Sequence, residues 1–322
     1  MTAVPTNAGP VVRIGTRSST LARTQSALVG EALTKATGRR TELVLIRTAG
    51  DISLQPLTRI GGTGVFVSAL REALLRGEID LAVHSLKDLP TTPPDGIALA
   101  AVPTREDPRD VVVARDGLTL GELPPGSLVG TGSPRRASQI HALGLGVEVV
   151  GVRGNVDTRV GKVASGQLDA IVIARAGLAR MGRLDDVTEV LDPLQMLPAP
   201  GQGALALECR ADAELRDLVR SALDDPATRA CVTAERTLLA ELEAGCAAPV
   251  GALAEVAEGD LGDELWIRAV ALSHDGALTV RRSASGPLDD AVGLGQKVAA
   301  EMLAEGAAEL ISAEIEEARR RL

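Results

Sequence analysis

Aromatic side chains are almost missing from this chain. Its 322 residues include one Phe (Phe66), one Trp (Trp266) and no Tyr. Platforms that stack single-stranded nucleic acid need aromatic faces, so that class of partner is disfavoured. Lysine is scarce as well: Lys35, Lys87, Lys162 and Lys297 are four of 34 basic residues. Because alanine and glycine are abundant too, the number of arginines carries no weight by itself, and only their positions can. Three cysteines, Cys209, Cys231 and Cys246, are too few and too scattered for a disulfide framework or a zinc knuckle. No metal site is expected, and a reducing cytoplasm fits. No run approaches the ~18 apolar residues of a membrane span. Residues 1–10 have no charged n-region and no apolar h-region, and read as a loose leader. Neither G-x-x-x-x-G-K-[ST] nor a G-x-G-x-x-G between strand and helix occurs, which argues against a nucleotide site.

What is present is ample core material: 45% hydrophobic residues and a mean hydropathy of +0.14. The length suggests two or three domains. The net charge of −9 is unevenly spread, because residues 11–222 come to +1 and residues 223–322 to −10. The first two thirds could therefore hold a locally basic cleft.

Two segments alternate strands and helices, the pattern of a mostly parallel α/β sheet. In the first, strand-like Val11–Ile14 leads to a helix over Thr20–Thr34, then strand Leu43–Ile46. A helix over Phe66–Arg76 follows, stopped by Gly77, and then a buried-type strand, Ile79–His84. In the second, Ser127–Val129 runs into Gly130-Thr131-Gly132-Ser133 and a helix. Strand Val147–Val152 precedes an Asn155-capped helix ending at Gly166, and strand Leu168–Ile173 follows. Local signatures recur: Ile14-Gly15-Thr16-Arg17-Ser18 beside Val129-Gly130-Thr131-Gly132-Ser133, and Gly77-Glu78-Ile79-Asp80 beside Gly166-Gln167-Leu168-Asp169. The expected fold is thus two similar doubly wound α/β lobes facing each other, periplasmic-binding-protein-like, with Pro198–Gly203 as a hinge. The rest reads as a small α+β domain. It has an amphipathic helix over Ala227–Ala244 and three antiparallel strands (Val250–Val256, Leu265–Leu272, Ala277–Ser283). Two helices, Leu288–Leu303 and Ala307–Leu322, complete it. The expected domains are 11–104 with 200–222, then 105–199, then 223–322.

Arginines fall at strand-to-helix turns. Arg17 is at one, Arg135 and Arg136 are at the matching turn of the second lobe, Arg153 precedes the Asn155 cap, and Arg159 is in the next helix's first turns. Helix N-termini already disfavour cations. Arginines concentrated there make sense if an anion sits between them and the free N–H groups, and planar guanidinium suits carboxylate or phosphate. Asp88, after the buried strand, could handle protons, or could simply pair with Lys87 or cap a helix. His84 reads as a core histidine. Cys246 is lifted out of its helix by Gly245 and Pro249 onto a loop of small residues, where a free thiol is the default reading. Cys209 and Cys231 read as core.

The order of the motifs resembles the porphobilinogen deaminase (hydroxymethylbilane synthase) family. Over residues 11–290 the matching runs are RIGTRSSTLA (13–22), GDISLQPL (50–57), GVFVSALREALL (64–75), DLAVHSLKDLP (80–90) and REDPRDV (105–111). They continue with GTGSPRRASQ (130–139), VRGNVDTR (152–159), DAIVIARAGLAR (169–180), PAPGQGALALECR (198–210) and LEAGCAAPVG (242–251). The resemblance implies a deaminating transferase of tetrapyrrole and heme biosynthesis that joins four porphobilinogens head to tail with release of four ammonias. It implies a dipyrromethane cofactor held by a thioether, and its attachment cysteine matches Cys246. The family's catalytic aspartate matches Asp88. Its carboxylate-binding arginines match Arg17, Arg135, Arg136, Arg153, Arg159 and Arg180. Further binding positions match Ser19, Ser85, Lys87, Ser133 and Gln202. Each porphobilinogen carries an acetate and a propionate, so an arginine-lined cleft would offset their repulsion and fix register. A carboxylate beside the ring nitrogens would stabilise cationic intermediates and shuttle protons.

The loop over 59–64 departs from the family pattern: where two lysines are common it has Arg59 and Thr63. Pro134 replaces an aliphatic residue at a helix start, where proline is benign. Phe66 falls beside the expected cleft and is expected to pack on a pyrrole ring. The partner expected is a small molecule, with no nucleic acid and no membrane, acting on a monomer in the cytoplasm. The rival reading is a non-catalytic two-lobed binding protein for a polycarboxylate ligand; it leaves the acidic third domain and Cys246 unexplained.

Overall fold

A computed structural model describes residues 9–46, 64–92, 94–244, 248–259 and 262–311, the side chains of 64–66 excepted. The expectations for the leader, for Arg59 and Thr63, for the Phe66 side chain, for Cys246 and for the end of the terminal helix lie outside the described residues. The chain divides into two compact units, Met1–Arg105 with Ala204–Arg229, and Glu106–Gly203 with Ala230–Leu322.

The first unit runs β1 (Val12–Thr16), α1 (Thr20–Thr37), β2 (Thr41–Leu45), α2 (Gly64–Leu75), β3 (Leu81–Ser85) and β4 (Ile97–Ala101). It is completed by β10 (Leu205–Arg210) and α6 (Leu215–Leu223). The sheet order is β2-β1-β3-β10-β4. The first three strands are parallel, and β10 runs antiparallel to both neighbours. The Ser19 hydroxyl accepts from Ala22 N to cap α1, and Gly38, at φ 72°, closes it by donating to Thr34 O. Period-2 alternation explains the double winding. Leu81 and Val83 pack with Val29 and Leu33 of α1 and Val219 of α6. Ala82, between them, packs with Leu70 and Leu74 of α2 on the other face.

In the second unit a sheet of order β7-β6-β8-β5-β9 repeats that plan. Its elements are β5 (Asp110–Ala114), β6 (Leu128–Thr131), α3 (Pro134–Ala142), β7 (Glu148–Gly151), α4 (Val156–Ala164), β8 (Ala170–Ala174), α5 (Arg175–Arg180) and β9 (Glu189–Val190). Again three strands are parallel, and β5 is antiparallel to β8. Val112 and Val172 face Ile140 of α3, while Val111, Val113 and Ile171 face Val160 and Val163 of α4. The unit also holds most of α7 (Pro226–Glu241), the antiparallel sheet β11 (Val250–Gly259), β12 (Gly262–Leu272) and β13 (Thr279–Pro287), and α8 (Ala291–Ala304). The stripe Cys231, Ala234, Leu238 and Leu242 packs against this sheet with Leu294, Val298 and Met302 of α8.

The repeated signatures are the same structure twice. Gly77 (φ 69°) and Gly166 (φ 71°) end a helix in the left-handed conformation. Asp80 N donates to Arg13 O and Asp169 N to Leu128 O. Each aspartate returns the contact, its carboxylate accepting from Arg13 N or from Leu128 N. Three strands were not anticipated: β4, which is mostly alanine, β9, which is two residues long, and β5, whose apolar run is hemmed in by Arg109, Asp110 and Arg115.

Candidate active site

In the first unit, Arg17 lies between the end of β1 and the Ser19 cap, so both belong to one strand-to-helix turn. Ser85 ends β3, and the single 3-10 turn Leu86–Asp88 follows. Leu86 is fully buried and its N–H donates to Ala204 O, which pins the turn. Lys87 is half-buried and Asp88 exposed, so the carboxylate is offered outward from a fixed base. Ser85 Oγ is 3.2 Å from the Nε2 donor of Gln25, a buried α1 residue that sequence reasoning did not single out. Asp88 thus sits just beyond the carboxyl end of a parallel strand, where ligands of open α/β sheets bind.

In the second unit, Ser133 is the N-cap position of α3 and Pro134 begins it, which places Arg135 and Arg136 in its first turn. Both are buried, at 3% and 5% exposure. Their counter-charge is Asp110, at 0% exposure, the first residue of β5. Arg135 Nη2 donates to one Asp110 oxygen at 2.8 Å, and Arg136 Nε and Nη2 donate to the other at 3.1 and 2.9 Å. Gln202 Nε2 also donates to Asp110, at 2.8 Å, and to Pro108 O. Backbone carbonyls take the outer nitrogens: Arg135 Nη1 donates to Leu197 O and Arg136 Nη1 to Val172 O. Burial alone would raise the Asp110 carboxyl, but the charges of Arg135 and Arg136, with the bonds from Arg136 and Gln202, outweigh it and hold it at about 2. Asp110 stays ionised and fixes both guanidinium planes.

Positive charge remains in surplus here. Burial, together with the nearby Arg136 charge, pulls the Arg159 pKa down. Burial lowers that of Arg180, only partly offset by Glu106. Arg159 Nε donates to Gly154 O, and Arg180 Nη2 to Gly203 O, so carbonyls rather than carboxylates orient them. The buried Arg135 Nε has no hydrogen-bond partner among the described residues. Arg153 stands exposed beside the Asn155 cap, whose side chain accepts from Thr158 N at 2.8 Å. The unit therefore brings Arg135, Arg136, Arg159 and Gln202 to one end of its sheet. Among the described residues this cluster has more cations than carboxylates and one donor left over, an arrangement that can pair with an anion. In this unit's arginine cluster, the residue that sequence reasoning missed is Asp110. Its signal was an acid heading an apolar strand, but its partners are 25, 26 and 92 residues away. Among the described residues no cluster of three or more His, Cys, Asp or Glu could hold a metal, and no helix is long and apolar enough to cross a membrane.

These features define an α/β protein with two five-stranded sheets of like plan, an added α+β module and arginine-rich helix N-termini. Residues 12–217 match the family model described as porphobilinogen deaminase, dipyromethane cofactor binding domain. Residues 229–304 match that of the porphobilinogen deaminase C-terminal domain. Porphobilinogen deaminase 1 of Streptomyces avermitilis is 58% identical over 314 residues, covering 93% of this chain and 97% of that protein. Porphobilinogen deaminase of Mycobacterium tuberculosis is 59% identical over 306 residues, covering 94% and 98%. The chain belongs to the porphobilinogen deaminase family. Among solved structures, the methionine-binding protein MetQ aligns at 14% identity and a TM-score of 0.43, covering 66% of this chain and 89% of that one. A Bordetella pertussis BvgS VFT2 domain aligns at 18% and 0.42, covering 66% and 86%.

Proposed function

We propose that this chain condenses four porphobilinogens into hydroxymethylbilane with release of four ammonias, priming the chain on a dipyrromethane joined by a thioether to Cys246. The observation that carries the reading is the surplus of arginine charge among the described residues of the second unit, where buried Arg135 and Arg136 share the one carboxylate of Asp110 and half-buried Arg159 and Arg180 are oriented by carbonyls. A monocarboxylate would leave most of it uncompensated; a ligand with two carboxylates per ring would not. The cofactor fits the same residues. Among the described residues the buried Arg135 Nε has no hydrogen-bond partner, a donor left for a carboxylate. Arg135 and Arg136, with Ser85, Lys87, Asp88 and Ser133, would hold its carboxylates and ring nitrogens. When bound, the dipyrromethane supplies the free pyrrole α-carbon to which the first substrate is joined.

The chain's own residues do the rest. Arg17, Ser19, Arg153, Arg159, Arg180 and Gln202 serve the incoming substrate, with guanidinium groups pairing bidentately to acetate and propionate. Asp88 accepts the pyrrole N–H, stabilises the positive charge that develops as ammonia leaves, and takes up the ring proton after the carbon–carbon bond forms. Phe66 packs on a pyrrole face. The three-domain division at 104/105, 199/200 and 222/223 belongs to this reading. So do a monomeric state and a cytoplasmic location; light scattering of the purified protein checks the first.

Intact mass tests the whole. Wild-type protein is expected to exceed its polypeptide mass by two linked pyrrole units, and Cys246→Ala to show the bare mass and no turnover. Asp88→Asn is expected to keep the added mass and lose about a thousandfold or more in kcat. A bare polypeptide mass in active wild-type protein would refute the reading, and near-normal kcat in Asp88→Asn would remove Asp88 from it.

A further inference from the structure

The segment 197–202 lies between two sets of partners within the second unit: its end residues meet one set and its inner residues the other. Leu197 and Gln202 serve the arginines. Leu197 O accepts from Arg135 Nη1 and from Gln139 Nε2, Leu197 N donates to Gln139 Oε1, and the Gln202 side chain donates to Asp110. Pro198 and Gly201 serve the other sheet and its helix. Pro198 O accepts from Ala252 N of β11, and Gly201 N donates to Glu235 Oε2 of α7 at 2.6 Å. The other oxygen of Glu235 accepts from Ala254 N of β11 at 2.8 Å. Glu235 is at 0% exposure. One carboxylate thus clasps α7, β11 and the 197–202 segment, while the flanking residues of that segment hold Arg135 and, through Asp110, Arg136. The fit is close as well as polar: a Cβ on Gly251 would stand 2.9 Å from Leu197 O.

We propose that Glu235 is a positioning residue for the reaction. It sets the register between the Arg135–Arg136–Asp110–Gln202 cluster and the helix that leads toward Cys246. Burying a carboxylate is a poor way to gain stability, and an apolar side chain of the same volume would suit the surrounding core as well. What the carboxylate supplies is two directed, charge-assisted acceptors, which define distance and orientation. The inference rests on the proposed role of Cys246. If the attached cofactor must meet arginines at the start of a helix packed on a different sheet, an error of about an ångström between the two costs rate more than affinity.

The test uses the full-length holoenzyme. Glu235→Gln keeps one acceptor and turns the other into a donor facing an N–H. Gly251→Ala leaves the carboxylate intact and forces β11 away from Leu197. In both, kcat per cofactor-bearing molecule, counted by intact mass, is expected to fall about tenfold or more while KM stays within about twofold. The assay is run well below each variant's melting temperature. Glu235→Asp, with a shorter reach to one of the two N–H groups, is expected to fall between wild type and Glu235→Gln. Wild-type kcat in folded Glu235→Gln overturns the proposal, as does a rate loss that only tracks the folded fraction. If Glu235→Gln does not fold, Gly251→Ala decides: wild-type kcat there overturns it equally. A wild-type mass without the pyrrole units overturns the proposed function instead, so the two failures are distinct.

Discussion

Both five-stranded sheets bury one carboxylate on their antiparallel inner strand, and they put it at opposite ends. In the second unit Asp110 is the first residue of β5 and pairs with Ala174, at the carboxyl end of the parallel strand β8. In the first, Glu208 of β10 pairs with Ala82, near the start of β3, away from the end that carries Asp88. Asp110 holds two arginines of a helix N-terminus. Glu208 holds Arg71 of α2 by two bonds, at 2.7 and 2.9 Å, and lies 3.3 Å from His84 Nε2. Burial would raise Glu208, but the contacts and charges of His84 and Arg71 bring it to about 2, as for Asp110. Equal electrostatics at different heights serve different ends: at the carboxyl edge of the parallel strands the acid presents cations, and lower down it fastens a helix to the sheet.

The largest effect that could break this contrast is deletion of each acid. Asp110→Ala strands two buried guanidinium charges and is expected to destabilise by about 3–5 kcal/mol. The protein that remains folded is expected to lose turnover by about a hundredfold, because Arg135 and Arg136 lose their common anchor. Glu208→Gln is expected to destabilise by about 3 kcal/mol, in line with the depth of its pKa shift, but to leave kcat of the folded enzyme within about threefold of wild type. Urea denaturation and steady-state kinetics on the same preparations separate the two outcomes. Equal activity losses would erase the distinction between presenting and fastening acids.

The pH dependence sharpens the same point. Both carboxyls have folded-state pKa values below their ordinary 3.8 and 4.5, so their contribution is complete above those values and is lost as pH falls toward about 2. The shifts correspond to about 2 kcal/mol for Asp110 and about 3 kcal/mol for Glu208. Wild-type urea midpoints are therefore expected to drop steeply between about pH 4.5 and 2. Asp110→Asn and Glu208→Gln are each expected to flatten the curve in that window and nowhere above it. A single-acid variant with an undiminished slope would show that other groups drive acid unfolding.

Local features were legible in the sequence and distant pairings were not. The Asn155 cap, the Gly77 and Gly166 stops and the buried stripe Cys231, Ala234, Leu238 and Leu242 all follow from spacing within one or two turns of helix. The reading of His84 as a core residue also stands, for it is 7% exposed on β3. Asp110, Glu208 and Glu235 stayed hidden because a buried acid takes its meaning from its partners. Those of Glu208 lie 137 and 124 residues away, and those of Glu235 lie 34 and 19. The arginines were found by the oddity of cations at helix N-termini. What the sequence could not show is that Arg135 and Arg136 are tied to a carboxylate of the protein itself, leaving Arg135 Nε, Arg159 and Arg180 as the less satisfied donors.

The smallest expected difference concerns the two glycines at matching points of the first parallel strands. A Cβ on Gly15 would meet Ile79 Cδ1 and Leu70 Cδ2, the far ends of flexible side chains. A Cβ on Gly130 would meet Val152 Cγ2 at 2.6 Å, Leu168 Cδ1 at 2.7 Å and Ile171 Cγ2 at 3.2 Å. Two of those three atoms belong to β-branched residues with little χ1 freedom, and crowding comes from three sides. Overpacking costs about 1–3 kcal/mol. Gly15→Ala is expected at the low end of that range and Gly130→Ala at the high end, both measurable as urea midpoints with unchanged m-values. If Gly15→Ala proves the more damaging, the first sheet is the stiffer of the two at this layer, and the repeat has diverged in packing as well as in where it keeps its acid.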